Sequence, residues 1–172
     1  RAAIAAAIVV VPTVAQITLP PGFVVASTTS GSSLGLPSPL GGIEWSADGS
    51  TLYVGGAANS AAGAVYAVPA TRDPITFEVL SFGAATLHAP AFEIDGGLEF
   101  GPGGTLFHTA WPSNQLGQIT ASGSFLFPLD ASTDSVGGLT FGPVGTPYAG
   151  VLFVSSYDVG DIFTVPLVSN GN

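Results

Sequence analysis

The 172-residue chain is 47% hydrophobic and only 8% charged, and its 11 acidic residues face two arginines, for a formal net charge of -9. That balance leaves no basic patch to neutralise phosphates, which excludes a nucleic-acid partner held by counterion release. With no cysteine, disulfide stapling and thiol chemistry are excluded too; the hydrophobicity argues against disorder and the length allows one domain with a real core.

Taken in chain order, "RAAIAAAIVVVPTVAQ" combines Arg1, an apolar run from Ala2 to Val11 and the small-x-small step Thr13-Val14-Ala15. This is how a secretory signal peptide ends, so residues 1–15 read as a signal-peptide remnant with cleavage after Ala15, and the mature chain as secreted. The run falls short of the roughly 20 residues that span a bilayer, so the mature chain reads as not membrane-spanning. An Ala/Val-rich first element of the fold is the competing reading. No Met occurs anywhere, so Arg1 is not a translation start and the sequence reads as a fragment. Residues 16–172 form the domain, and "ITLPPGFVVASTTS", Ile17 to Ser30, reads as a leading or closing strand pair.

From Gly41 the sequence repeats itself. "GGIEWSADGSTLYVGG" is echoed by "GGLEFGPGGTLFHTA" from Gly96 and "GGLTFGPVGTPYAGVLFVSS" from Gly137, starts 55 and 41 residues apart. Each copy runs Gly-Gly, an apolar residue, a variable residue, an aromatic (Trp45, Phe100, Phe141), a turn, and a second apolar run. The apolar period is two, and Asp48-Gly49 in the first copy is a tight-turn signal, so each copy predicts a β-hairpin. "AGAVYAVPA", "GQITASGSFLFPL" and "GDIFTVPLV" supply further outer strands. A unit of this size cannot bury both faces alone and must stack on the next. The Gly-Gly pair is expected where the innermost strand begins and neighbouring backbones crowd together. The expected fold is all-β and of β-propeller type: about three to four four-stranded blades of an incomplete ring, the final "PLVSNGN" stopping in a turn. A β-sandwich is the alternative.

On these residues the sequence resembles the propellers of the gluconolactonase, NHL-repeat and virginiamycin B lyase group. "GGIEWSADGSTLYVGG" is similar to their "PNGIAFSPDGKTLYVAD" line, and "GGLEFGPGGTLFHTA" to the lyase-like "GIAxGPDGNLWFT". The third copy resembles blades of secreted propellers that end in a PEP-CTERM sorting tail. The likeness spans residues 38 to 168. It implies a propeller fold and opens a lyase or lactonase activity. The divalent-ion Asn that precedes Gly-Ile in the lactonases is replaced here by Gly41, Gly96 and Gly137, and the Asp after "LYVA" by Gly55-Gly56.

Candidate chemistry is sparse. Glu44 and Glu99 share one step of the repeat, with Thr140 in the third copy, so stacking would bring two carboxylates near the axis as a ligand or cation site or as acid and base; the structural reading is solvated or amide-paired carboxylates. Asp158 and Asp161 in "SSYDVGD", like Asp130 and Asp134 in "DASTD", have spacings that suit Ca²⁺ but equally suit turns, and none fits the EF-hand loop. Either histidine could serve as general base, oriented by Glu93, Asp95 or Glu99; His108 follows the motif strand directly and is the better candidate, set with Glu99 near the axis in a lyase or lactonase, and His88 is the weaker. Both can equally be structural. Trp111 and Tyr157 fall at strand ends beside polar loops and could stack on sugars, but interblade core is the expected home for them as for the other aromatics. No nucleophile elbow or phosphate-binding loop is present. The expected function is an extracellular scaffold binding a ligand or protein partner, with catalysis unassigned. Its rivals are a propeller lyase or lactonase and a structural assembly that self-associates through open strand edges.

Overall fold

A computed structural model describes residue 21 and residues 29–129 and 135–167. The signal-peptide stretch, the Ile17–Ser30 strand pair except Pro21 and its last two residues, Asp130, Asp134 and residues 168–172 of the final turn lie outside the described residues. Twelve strands fill the described part: β1 (Leu40–Trp45), β2 (Thr51–Gly56), β3 (Ala64–Arg72), β4 (Val79–Phe82), β5 (Thr86–Pro90), β6 (Ile94–Phe100), β7 (Leu106–Ala110), β8 (Gln115–Thr120), β9 (Gly123–Pro128), β10 (Val136–Phe141), β11 (Leu152–Ser156) and β12 (Ile162–Val165). No α-helix occurs among the described residues, as the period-two pattern requires. In particular, no helix there is long and apolar enough to cross a membrane.

The strands form three antiparallel sheets, none of them closed on itself. The first runs β1-β2-β3-β4 with β5 also on β3, the second β6-β7-β8-β9 and the third β10-β11-β12. Only the second has the four strands expected of every unit. The first gains its fifth because the nine-residue β3 is shared: its start pairs with β5 and its end with β4. Each repeat supplies the opening hairpin of one sheet. In the first copy the turn closes as the sequence suggests, with Gly49 at φ +67° and the Asp48 carboxylate accepting bonds from the Ser46 hydroxyl at 2.6 Å and the Ser50 amide at 3.0 Å. Those bonds hold the Asp48 carboxyl down at about 2.

The Gly-Gly pairs have a common role. Every opening hairpin breaks register across its pair, between Leu40 and Ile43, between Ile94 and Leu98, and between Val136 and Leu139. Each pair is therefore a β-bulge that bends the first strand of its hairpin. The bulge also brings backbones together. A Cβ on Gly42 would lie 2.7 Å from the Gly96 carbonyl oxygen, and one on Gly97 3.0 Å from that of Gly137. Contacts that close admit only glycine.

The sheets bury their faces in sequence. Val65 of the first sheet packs with Ile94, Leu98, Leu106 and Ile119 of the second. On the second sheet's other face, Phe107 and Leu116 pack with Val136, Leu152 and Val154 of the third. A third cluster, Leu36, Val54 and Val68, lies on the remaining face of the first sheet, covered by the chain around Leu34. Covered on both sides, the second sheet has a β7 buried at all five positions, where a strand with one wet face would alternate.

Candidate functional site

Pairing registers fix which residues of the three copies are equivalent. Glu44, Glu99 and Thr140 face Tyr53, Phe107 and Phe153 across their hairpins. It follows that Val54, His108 and Val154 share one step, Gly55, Thr109 and Ser155 the next, and Ala57, Trp111 and Tyr157 the first residue beyond the strand.

His108 therefore stands where the other copies place a core valine. It is fully buried, opposite Leu98 on one side and Gly117 on the other, and a Cβ on Gly117 would fall on the imidazole. Nδ1 lies 3.3 Å from the Thr109 carbonyl oxygen. Because that oxygen can only accept, Nδ1 carries the proton, and Nε2 is left as a buried acceptor with no hydrogen-bond partner. Burial disfavours the charged ring and lowers its pKa, against a smaller raising effect of the Thr109 bond. The ring is neutral near pH 7.

Glu99, the carboxylate expected to work with His108, projects from the opposite face of the second sheet. Its partner across the hairpin is Phe107 rather than His108, and its Oε1 accepts the Phe141 amide of the third sheet at 3.2 Å. The structure does bring Glu99 toward Glu44. Burial raises the Glu44 pKa, the Trp45 backbone bond opposes this, and the Glu99 charge adds to the rise. Among the described residues no group of three or more His, Asp or Glu side chains is placed to hold a metal ion. His88 is exposed, edge-on to Tyr53 at 4.8 Å between ring centres. Asp158 and Asp161 sit in the exposed turn between β11 and β12.

Trp111 and Tyr157 occupy one rim. Each is the first residue after the second strand of its sheet, and each is anchored by its backbone amide, Trp111 to the Glu93 carbonyl at 2.9 Å and Tyr157 to the Ser135 carbonyl at 2.8 Å. Their side chains are 41% and 84% exposed. Behind Trp111, the Glu93 carboxylate accepts the Ser113 amide at 3.2 Å, and Asn114 Oδ1 accepts the Val136 amide of the third sheet at 3.2 Å. The rim thus joins two aromatic faces, several carboxylates and a polar loop on a backbone tied across two sheets. Chemically this suits stacking on a flat apolar face combined with hydrogen bonding to hydroxyls.

Sequence reasoning missed Thr109, which with Glu99 and Asn114 ties the second sheet to the third. Thr109 Oγ1 accepts the Gly97 amide at 3.0 Å and donates to the Gly137 carbonyl at 2.6 Å. The signal was present in the repeat alignment, where Thr109 and Ser155 are hydroxyl residues at one step.

No family model, curated protein or solved structure matches the chain.

Proposed function

We propose that the chain is an extracellular, acidic scaffold of propeller type, each sheet a blade, which binds a ligand or partner at the rim carrying Trp111 and Tyr157. The observation that carries the binding reading is the exposure of these two aromatics at one equivalent step of adjacent sheets, where burial would otherwise be favourable by roughly 1.5–3 kcal/mol each. The propeller reading draws support from three sheets packed in sequence order, each opened by an inner strand with a Gly-Gly bulge. Export draws on the N-terminal pattern. Catalysis draws none, because His108 is sealed in the core and Glu99 leaves the other face of its sheet.

A glycan array tests the binding reading. The chain is expected to retain neutral oligosaccharides, and Trp111→Ala and Tyr157→Ala each to weaken retention by about 2 kcal/mol, the scale of an aromatic anchor. Binding unaffected by both substitutions, or no binding across the array, would remove the rim from consideration.

A further inference from the structure

The far face of the third sheet, which carries Gly138, Thr140, Phe153, Ser155 and Ile162, is open and encloses a shallow cavity of about 250 Å³. Equivalent faces of the other two sheets are covered. Gly42 is buried against Gly96 and Leu98, and Gly97 against Gly137 and Leu139, whereas a Cβ on the exposed Gly138 would meet nothing nearer than its own sheet's Ser155 Oγ at 3.6 Å. The hydroxyls differ in the same way. Thr109 donates across the seam to Gly137, while Ser155 turns back to the Gly138 carbonyl at 3.2 Å.

At the opposite end of the series, β1 leaves uncovered the residues that β6 and β10 bury. Ile94 and Val136 are buried against the preceding sheet, but their counterpart Leu40 is 48% exposed. Leu98 is buried and Leu139 packs beside its cluster, but Ile43 is 61% exposed. One end therefore lacks apolar cover, and at the other Leu40 and Ile43 stand free beside the part of the first sheet that Leu36 covers.

We propose that the open face of the third sheet receives β1 of a second copy of this chain, with Ile43 set against Gly138 as Leu139 is against Gly97, and with the Ser155 hydroxyl redirected to the Gly41 carbonyl. The inference rests on the propeller-type reading, since what fits the face is a further sheet of the same kind. Head-to-tail contacts either close or run on as filaments. Two copies of the three described sheets make six, within the range of roughly four to eight blades at which propellers close, so a closed pair is the assembly expected.

Light scattering on the size-separated chain tests this. Twice the chain mass is expected, without growth at higher concentration. Thr140→Arg and Ile43→Arg, both at positions exposed in the single chain, should each return a folded monomer. An equimolar mixture of the two variants should recover part of the dimer, because one of its two junctions then joins an intact tail to an intact head. A monomer at every concentration overturns the proposal, and protection of β10 amides in that monomer would assign the face to another segment of the same chain. A dimer indifferent to both substitutions overturns it as well. The propeller-type reading fails separately, if an experimental structure of the monomer shows the three sheets failing to turn about one axis lined by β1, β6 and β10.

Discussion

The second and third sheets carry nearly the same inner sequence, "GGLEF" and "GGLTF", yet the second is covered on both faces and the third on one. What the sequence shares sets the hairpin and its bulge; what lies beside the sheet decides whether each glycine and hydroxyl is under strong constraint. Gly97 and Thr109 are buried, while Gly138 is exposed and Ser155 only half-buried. A repeat motif thus has no fixed energetic value per residue, because the same step is core in one copy and surface in the next.

Substitutions at equivalent steps should separate the copies, and the largest gap is expected at the glycines. Gly42→Ala forces a methyl toward a backbone carbonyl 2.7 Å away, an overpacking expected to cost about 3 kcal/mol. At Gly138 of the Thr140→Arg monomer the same change meets only a serine hydroxyl and should stay within about 0.5 kcal/mol. Denaturant midpoints of the two variants check this, and equal losses would break the comparison.

Next come the hydroxyls. Thr109→Val keeps the shape but strands a buried amide and carbonyl, which should lower stability by about 2 kcal/mol. In the Thr140→Arg monomer, Ser155→Ala releases groups that water can reach, and about 0.5 kcal/mol or less is expected. A urea titration of each variant, read by circular dichroism, measures the pair.

The smallest effect sharpens the contrast between His108 and its counterparts Val54 and Val154. Its pKa is lowered on folding, so below the unfolded value near 6.5 the unfolded chain binds a proton that the folded chain refuses. Stability attributable to this group is therefore present above that pH, is lost as the pH falls below it, and stops falling once the folded pKa is passed. His108→Val should flatten the stability profile between about pH 7 and 5 relative to the parent chain. A parallel slope in both proteins would show that the ring titrates freely.

Much of the architecture was legible because it rests on local signals. Alternation around Ile43 and Trp45, the Asp48-Gly49 turn and the Gly-Gly pairs led to hairpins whose inner strands crowd one another, and the all-β class follows from them. β4 escaped notice because its pairing depends on a long-range property of β3, whose second half reaches past the strand that the repeat supplies. Outside the hairpin, Arg72 is a further case. Its guanidinium stacks over Trp45 at 4.3 Å and donates to the Gly49 and Phe77 carbonyls, contacts that no spacing in the sequence announces.

The site was less legible. His108 and Glu99 look like an acid-base pair in the string, yet strand alternation sends them to opposite faces, and their nine-residue separation around a hairpin fixes this only once the register is known. Trp111 and Tyr157, expected in the core, are exposed; their place at strand ends, a local feature, was the part that could be read. Thr109 was passed over because a lone threonine in a strand carries no chemical flag until its neighbour sheet is in place.

One sheet is sealed and the next is open along otherwise equivalent strands. Native-state hydrogen exchange in the Thr140→Arg variant, held as a monomer, tests it most directly. The amide of Gly97, bonded to buried Thr109, is predicted to exchange only through global unfolding, and that of Gly138, bonded to half-buried Ser155, to exchange at least about a hundredfold faster. Equal protection of the two amides would contradict the account.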